Sequence, residues 1–162
     1  MVRILLQPQA HASLPAALGL GRAAWACTLM LAALLPQAAG AATLVVEMSG
    51  VENDYGLVRV AVCTLDTFTT KHCAFTAATP ARAGMVTVSV DGVPPGRYAA
   101  QAYHDEDGDG HLRRGLFGIP TEAIGFSRDA PVRLGAPRFE DAAIEVCEPA
   151  TTIRLRLRHV GP

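Results

Sequence analysis

Lysine is almost missing from this chain. Lys71 is the only one among 14 basic residues. No acidic residue precedes Glu47, and only Arg3 and Arg22 of the basic ones do. Residues 43–162 therefore carry 12 basic and 15 acidic groups, a net charge of −3. That balance leaves no basic footprint for nucleic acid. Aromatic residues make up only 6 % of the chain, so a core must be built from Val, Leu, Ile and Ala. No stretch keeps a 3.6-residue apolar period, which excludes a helical bundle. Gly-x-Ser-x-Gly, the phosphate-binding loop and Cys-x-x-Cys are all absent, and with them the chemistry those motifs announce.

The N-terminal part is an export segment in pattern. Arg3 and Arg22 supply positive charge, Ala23 to Leu35 is apolar, and Ala38-Ala39-Gly40-Ala41-Ala42 is a run of small residues. Basic, apolar and small-residue regions in that order predict a secretory signal peptide over residues 1–42, cut after Ala41 or Ala42. The apolar run falls short of the roughly 20 residues a membrane span needs. An uncleaved anchor is the competing reading. No membrane span is expected after cleavage, and the location is periplasmic or secreted.

Residues 43–162 read as one β domain. Thr43–Val51 alternates, with Leu44, Val46 and Met48 on one face. Leu57–Cys63 does the same through Val58, Val60 and Val62, and Met85–Asp91 through Val86, Val88 and Val90. Gly92-Val93-Pro94-Pro95-Gly96 breaks the chain, because proline cannot feed a central ladder. Arg97–His104 is the next strand. Val132–Leu134 is a short one, and Glu140–Glu148 and Thr151–His159 are the last two. In the final one Ile153, Leu155 and Leu157 face in while Arg154, Arg156 and Arg158 face out. That arginine row is a solvated face that discourages edge pairing. Thr64–Thr79 has no pattern. Short strands separated by turn residues predict an all-β, immunoglobulin-like sandwich of about seven strands.

An exported domain sits where disulfides persist. Cys63 and Cys73 bracket the patternless segment and are the expected pair, with Cys147 the alternative partner. Otherwise Cys147 is a half-buried free thiol, and no nearby base marks it as catalytic.

The chemistry concentrates in Tyr103-His104-Asp105-Glu106-Asp107-Gly108-Asp109-Gly110-His111. Aspartates at alternate positions followed by glycine form the first half of a calcium loop. Hard cations want several oxygens, and glycine lets the backbone bring in the next carbonyl. Asp105, Asp107 and Asp109 would give carboxylate oxygens and His111 its backbone oxygen. The bidentate glutamate expected at the twelfth loop position is replaced by Leu116, and Arg113 and Arg114 oppose a cation. Glu122 is the nearest later carboxylate. Turn chemistry alone accounts for Asp-Gly-Asp-Gly equally well. His104 at a strand end is read as hydrogen-bonded rather than as a zinc ligand or base, since no spacing supplies further ligands. The glycine-rich stretch through Gly125 is expected to pack on the body through Leu112, Leu116, Phe117, Ile119 and Phe126.

Three segments, YAAQAYHDEDGDGHL, GIPTEAIGFS and GAPRFEDAAIEV, resemble the DUF2141 family of exported bacterial proteins. The resemblance runs from about Leu44 to Leu157. The Cys63/Cys73 pair is similar to one recurring in some members. Glu122 matches the family's loop glutamate, which makes it a candidate ligand or loop anchor. Members often carry an acidic residue where Arg113 stands, and that departure weakens a carried-over metal site. Val93–Tyr98 is also similar to turns of transthyretin-like and carboxypeptidase-regulatory-like sandwiches. The family implies location and fold but no activity.

The expected function is therefore that of an exported, non-catalytic sandwich. Its 104–127 loop binds calcium or an unidentified protein or envelope partner. An envelope assembly subunit is the alternative, and a metal-dependent hydrolase using His104, Asp105 and Glu122 the weaker one.

Overall fold

The computed structural model describes residues 40–133 and 135–160; the predicted signal peptide lies outside them except for its last three positions. Alternation decides the framework. β1 (Ala42–Val51), β2 (Leu57–Cys63), β4 (Gly84–Val93) and β5 (Gly96–Asp105) each bury one face. β3 (Phe75–Pro80), β6 (Ile124–Phe126), β7 (Ala143–Val146) and β8 (Ala150–Arg156) complete two sheets. One has the order β4-β1-β8, with β1 antiparallel to β4 and parallel to β8. The other has the order β3-β2-β5-β6, with β7 also on β5.

The sheets pack face to face as a β-sandwich. Leu44, Val46, Met48, Val58, Val60, Val62, Val90 and Val93 are all nearly inaccessible between them. Each such side chain contributes about 1.5–3 kcal/mol relative to exposure. Leu155 and Leu157 close one side, and Ile153 packs against the cluster while partly exposed.

β5 is the hub of the larger sheet. One edge pairs with β2 from Ala99 to Asp105. The other is shared: β7 takes Gly96 to Ala99 and β6 takes Gln101 to Tyr103. Ala100 falls in the gap between the two half-strands. Ser127 fills it. Its fully buried Oγ accepts from the Ala100 amide at 3.0 Å and donates to the Ala142 carbonyl at 2.5 Å. A single hydroxyl thus satisfies backbone groups that the broken ladder would orphan.

A second apolar cluster lies on the outer face of this sheet. Phe68 meets Phe126 and Phe139 edge to face, each at 5.8 Å. Phe68 belongs to the loop closed by the Cys63–Cys73 disulfide. That pairing is the expected one; by loop length it contributes roughly 2.5–3 kcal/mol, and bonds of this kind persist in oxidising compartments. Cys147 is free and exposed rather than half-buried. No helix among the described residues is long and apolar enough to cross a membrane.

The strand count is eight among the described residues, against about seven expected. β3 begins inside the patternless Thr64–Thr79 and runs to Pro80; after Phe75 its inward row is only Ala77 and Thr79, too faint to read. Glu140–Glu148 is not one strand. It divides into a helical turn, α1 (Phe139–Ala142), and β7. Phe139 and Ala142 on one side of that turn bury against the outer cluster, a spacing of three that alternation misreads. Val132 and Arg133 form no strand, and Leu134 lies outside the described residues.

Ser127→Ala removes the hydroxyl that bridges β5 and α1. It should cost about 1–3 kcal/mol in urea unfolding, the penalty for a buried amide left without a partner. A loss within error of zero would show that water replaces the hydroxyl.

Candidate functional site

The acidic turn grows from the end of β5 and is tied to the sheet by its first aspartate. Leu57 pairs with Asp105 and Arg59 with Tyr103 across β2 and β5. Arg59 Nε donates to Asp105 Oδ2 at 2.5 Å, and the Gly110 amide donates to the same oxygen at 3.0 Å. Gly110 has φ +78°, the left-handed conformation that swings its amide back. Gly56 is equally constrained: a Cβ there would stand 1.9 Å from the Asp105 carbonyl oxygen. The β1–β2 turn can approach the site only because that position is glycine.

Asp105 is fully buried, and its Oδ1 has no partner. Asp107 and Asp109 are exposed. Each uses one oxygen as a turn acceptor, Asp107 from the Asp109 amide at 3.3 Å and Asp109 from the His111 amide at 2.7 Å. Carboxylate oxygens of Asp105, Asp107 and Asp109 lie within 4.8 Å of one another. This exposed-sided triad could hold a metal ion. The calcium-like spacing and the turn reading are both visible: the aspartates fold the turn and leave oxygens over.

Arg113 ion-pairs with Asp107 and holds its carboxyl below the usual aspartate range. The guanidinium thus stands where positive charge is needed. Burial is no obstacle to its leaving, because its side chain is 52 % exposed.

Glu122 stands outside the triad. It is buried, and its Oε2 accepts from the Arg113 amide at 2.9 Å. The Thr121 amide donates to the Arg113 carbonyl at 3.0 Å, and the His104 amide to the Ala123 carbonyl at 2.9 Å. Glu122 is therefore the anchor at the root of the long loop, with Oε1 left unpartnered. His111 is exposed.

His104 is also buried, and its Nε2 lies 2.8 Å from the Tyr55 carbonyl oxygen. A carbonyl only accepts, so that nitrogen carries the proton. This is the hydrogen-bonded histidine the sequence suggested.

The packing expected of the long loop is half correct. Phe126 is buried and Leu112 is partly so. Leu116, Phe117 and Ile119 instead stand in water, 83 %, 97 % and 40 % exposed. The backbone bonds at the root hold the arm without their help. Sequence reading missed Arg59 as the partner of Asp105 and Ser127 as the ladder bridge. Arg59 carried a signal, being a charge inside an otherwise valine-rich strand.

The family model described as "Uncharacterized protein conserved in bacteria (DUF2141)" matches residues 46–154. No curated protein matches the chain. No solved structure matches it either.

Burial, and then the negative charge of Asp105, pushes the Tyr103 phenol up to about 12. Its neutral form thus favours the fold. The contribution is whole below the unfolded tyrosine value of about 10 and lost as pH rises through about 12. Tyr103→Phe should remove a tyrosine ionisation near pH 12 in an absorbance titration and flatten the alkaline stability loss over that window. Identical titrations of wild type and variant would refute the assignment.

Proposed function

The chain belongs to the DUF2141 family of bacterial proteins, and from that premise we propose a non-catalytic calcium-binding protein of the periplasm or extracellular space. The binding element is the turn from Asp105 to His111 within the 104–127 loop. One observation carries this reading: three carboxylates converge within 4.8 Å, and the buried one keeps an oxygen with no partner. Calcium accepts such mixed oxygen sets, with water completing the shell. The His111 carbonyl and Glu122, the nearest later carboxylate, are the further candidate oxygens. The disulfide supports an oxidising location, and the sequence before residue 43 supports export.

The burial of His104, Asp105 and Glu122 supports the non-catalytic reading. Each is at most 2 % exposed and each already engages a protein partner. A hydrolase needs such groups facing substrate. The assembly-subunit alternative draws on β3 and β4, which end their sheets and offer edges to another strand.

Arg113 competes with the cation for Asp107. Calcium binding in the range of about 0.1–1 mM is expected, that of extracellular modules. Saturation at about ten millimolar calcium should raise the melting midpoint by roughly 5–10 °C. Asp107→Ala together with Asp109→Ala should abolish the rise. Arg113→Gln should tighten calcium binding several-fold by titration calorimetry. An unmoved midpoint at millimolar calcium, in wild type and Arg113→Gln alike, would end the proposal.

A further inference from the structure

The arm beyond the acidic turn carries its own puzzle. Arg114 and Pro120 bridge its two sides, and the Gly115 amide donates to the Ile119 carbonyl at 2.8 Å. This closed hairpin holds Leu116 and Phe117 at its tip, 83 % and 97 % exposed. Phe117 is also in the left-handed region at φ +58°, a conformation that costs energy outside glycine. Two unfavourable features at one residue, held by a bonded frame, mark a surface kept ready for contact.

The surroundings say what kind of contact. Phe117 and Ile119 line an open trough over the outer face of the larger sheet, together with Lys71, Arg114 and Arg133. Those three cations make no ion pair among the described residues. No aspartate or glutamate lines the trough, although residues 43–162 are net negative. The partner is therefore anionic and apolar at once. A ligand lying in the trough would cover Phe117 but not Leu116, which is not part of the lining. A bilayer surface covers both side chains and meets the cations with its headgroups.

We propose that the 113–121 hairpin docks on an anionic phospholipid surface, with Leu116 and Phe117 entering the acyl boundary and Lys71, Arg114 and Arg133 facing the headgroups. An aromatic and a leucine at the interface backed by basic residues is the combination that gives reversible peripheral binding. Lipid docking by the hairpin does not require the cation site, so the vesicle measurements are made in a chelator.

Trp25 is the sole tryptophan. The full chain carrying Trp25→Phe and Phe117→Trp has its only indole at the tip, whether or not the N-terminal segment is retained. On vesicles of phosphatidylglycerol and phosphatidylcholine, its emission should move to shorter wavelength and be quenched by brominated acyl chains. Pure phosphatidylcholine should give much less of both. Adding Lys71→Glu, Arg114→Glu and Arg133→Glu should weaken partitioning roughly a hundredfold or more, at about 1 kcal/mol for each lost charge. Emission that stays at the water-exposed wavelength with excess anionic lipid overturns the proposal. So does quenching that is unchanged by the charge reversal. A lipid-free emission that shifts with protein concentration would instead put a second copy of the chain on the tip, and also overturns it.

Discussion

The buried carboxylate of Asp105 is the constraint on which the candidate site depends. It ends the hub strand of the larger sheet at full burial, and a lone buried carboxylate is costly. Arg59 from the neighbouring strand and the Gly110 amide from the turn relieve that cost on one oxygen. The same two bonds fix where the turn begins and how it folds back. Asp107 and Asp109 then face each other because the backbone between two anchored ends has little freedom left. The remaining Asp105 oxygen has no partner, and beside the Asp107 and Asp109 carboxylates it completes a group that could hold a metal ion.

The long loop shows a division of labour. Its root is closed by backbone bonds and by Glu122, a buried carboxylate that accepts from the Arg113 amide. Its tip is left apolar and exposed. A loop that needed its large side chains for cohesion would have turned Leu116 and Phe117 inward. Polar closure at the root frees those side chains for an outside surface. The trough behind the tip has only positive charge on its walls, in a domain of net negative charge. Turn and tip therefore present opposite chemistries a few residues apart.

The framework was legible in the sequence wherever one face of a strand is valine or leucine. β1, β2, β4 and β8 announce themselves by alternation: the first three bury every second residue, and β8 turns Ile153 and Leu155 inward between exposed residues. β3 and β6 were invisible for physical reasons. The first has one large apolar residue, Phe75, followed by small and hydroxylated ones, and the second has three residues, all buried, with no alternation to detect. α1 was misread because one turn is too short to set a period. At the site, the aspartate spacing and the loop glutamate were legible. Their partners were not, because Arg59 lies in another strand and pairing register decides which residues meet.

The most direct measurement of the central claim is amide hydrogen exchange at Gly110. Its N–H is bound to the buried Asp105 carboxylate, so it should exchange as slowly as the neighbouring amides of β5. Exchange at the rate of an unstructured peptide would contradict the account, for the turn would then not be held by Asp105 at all.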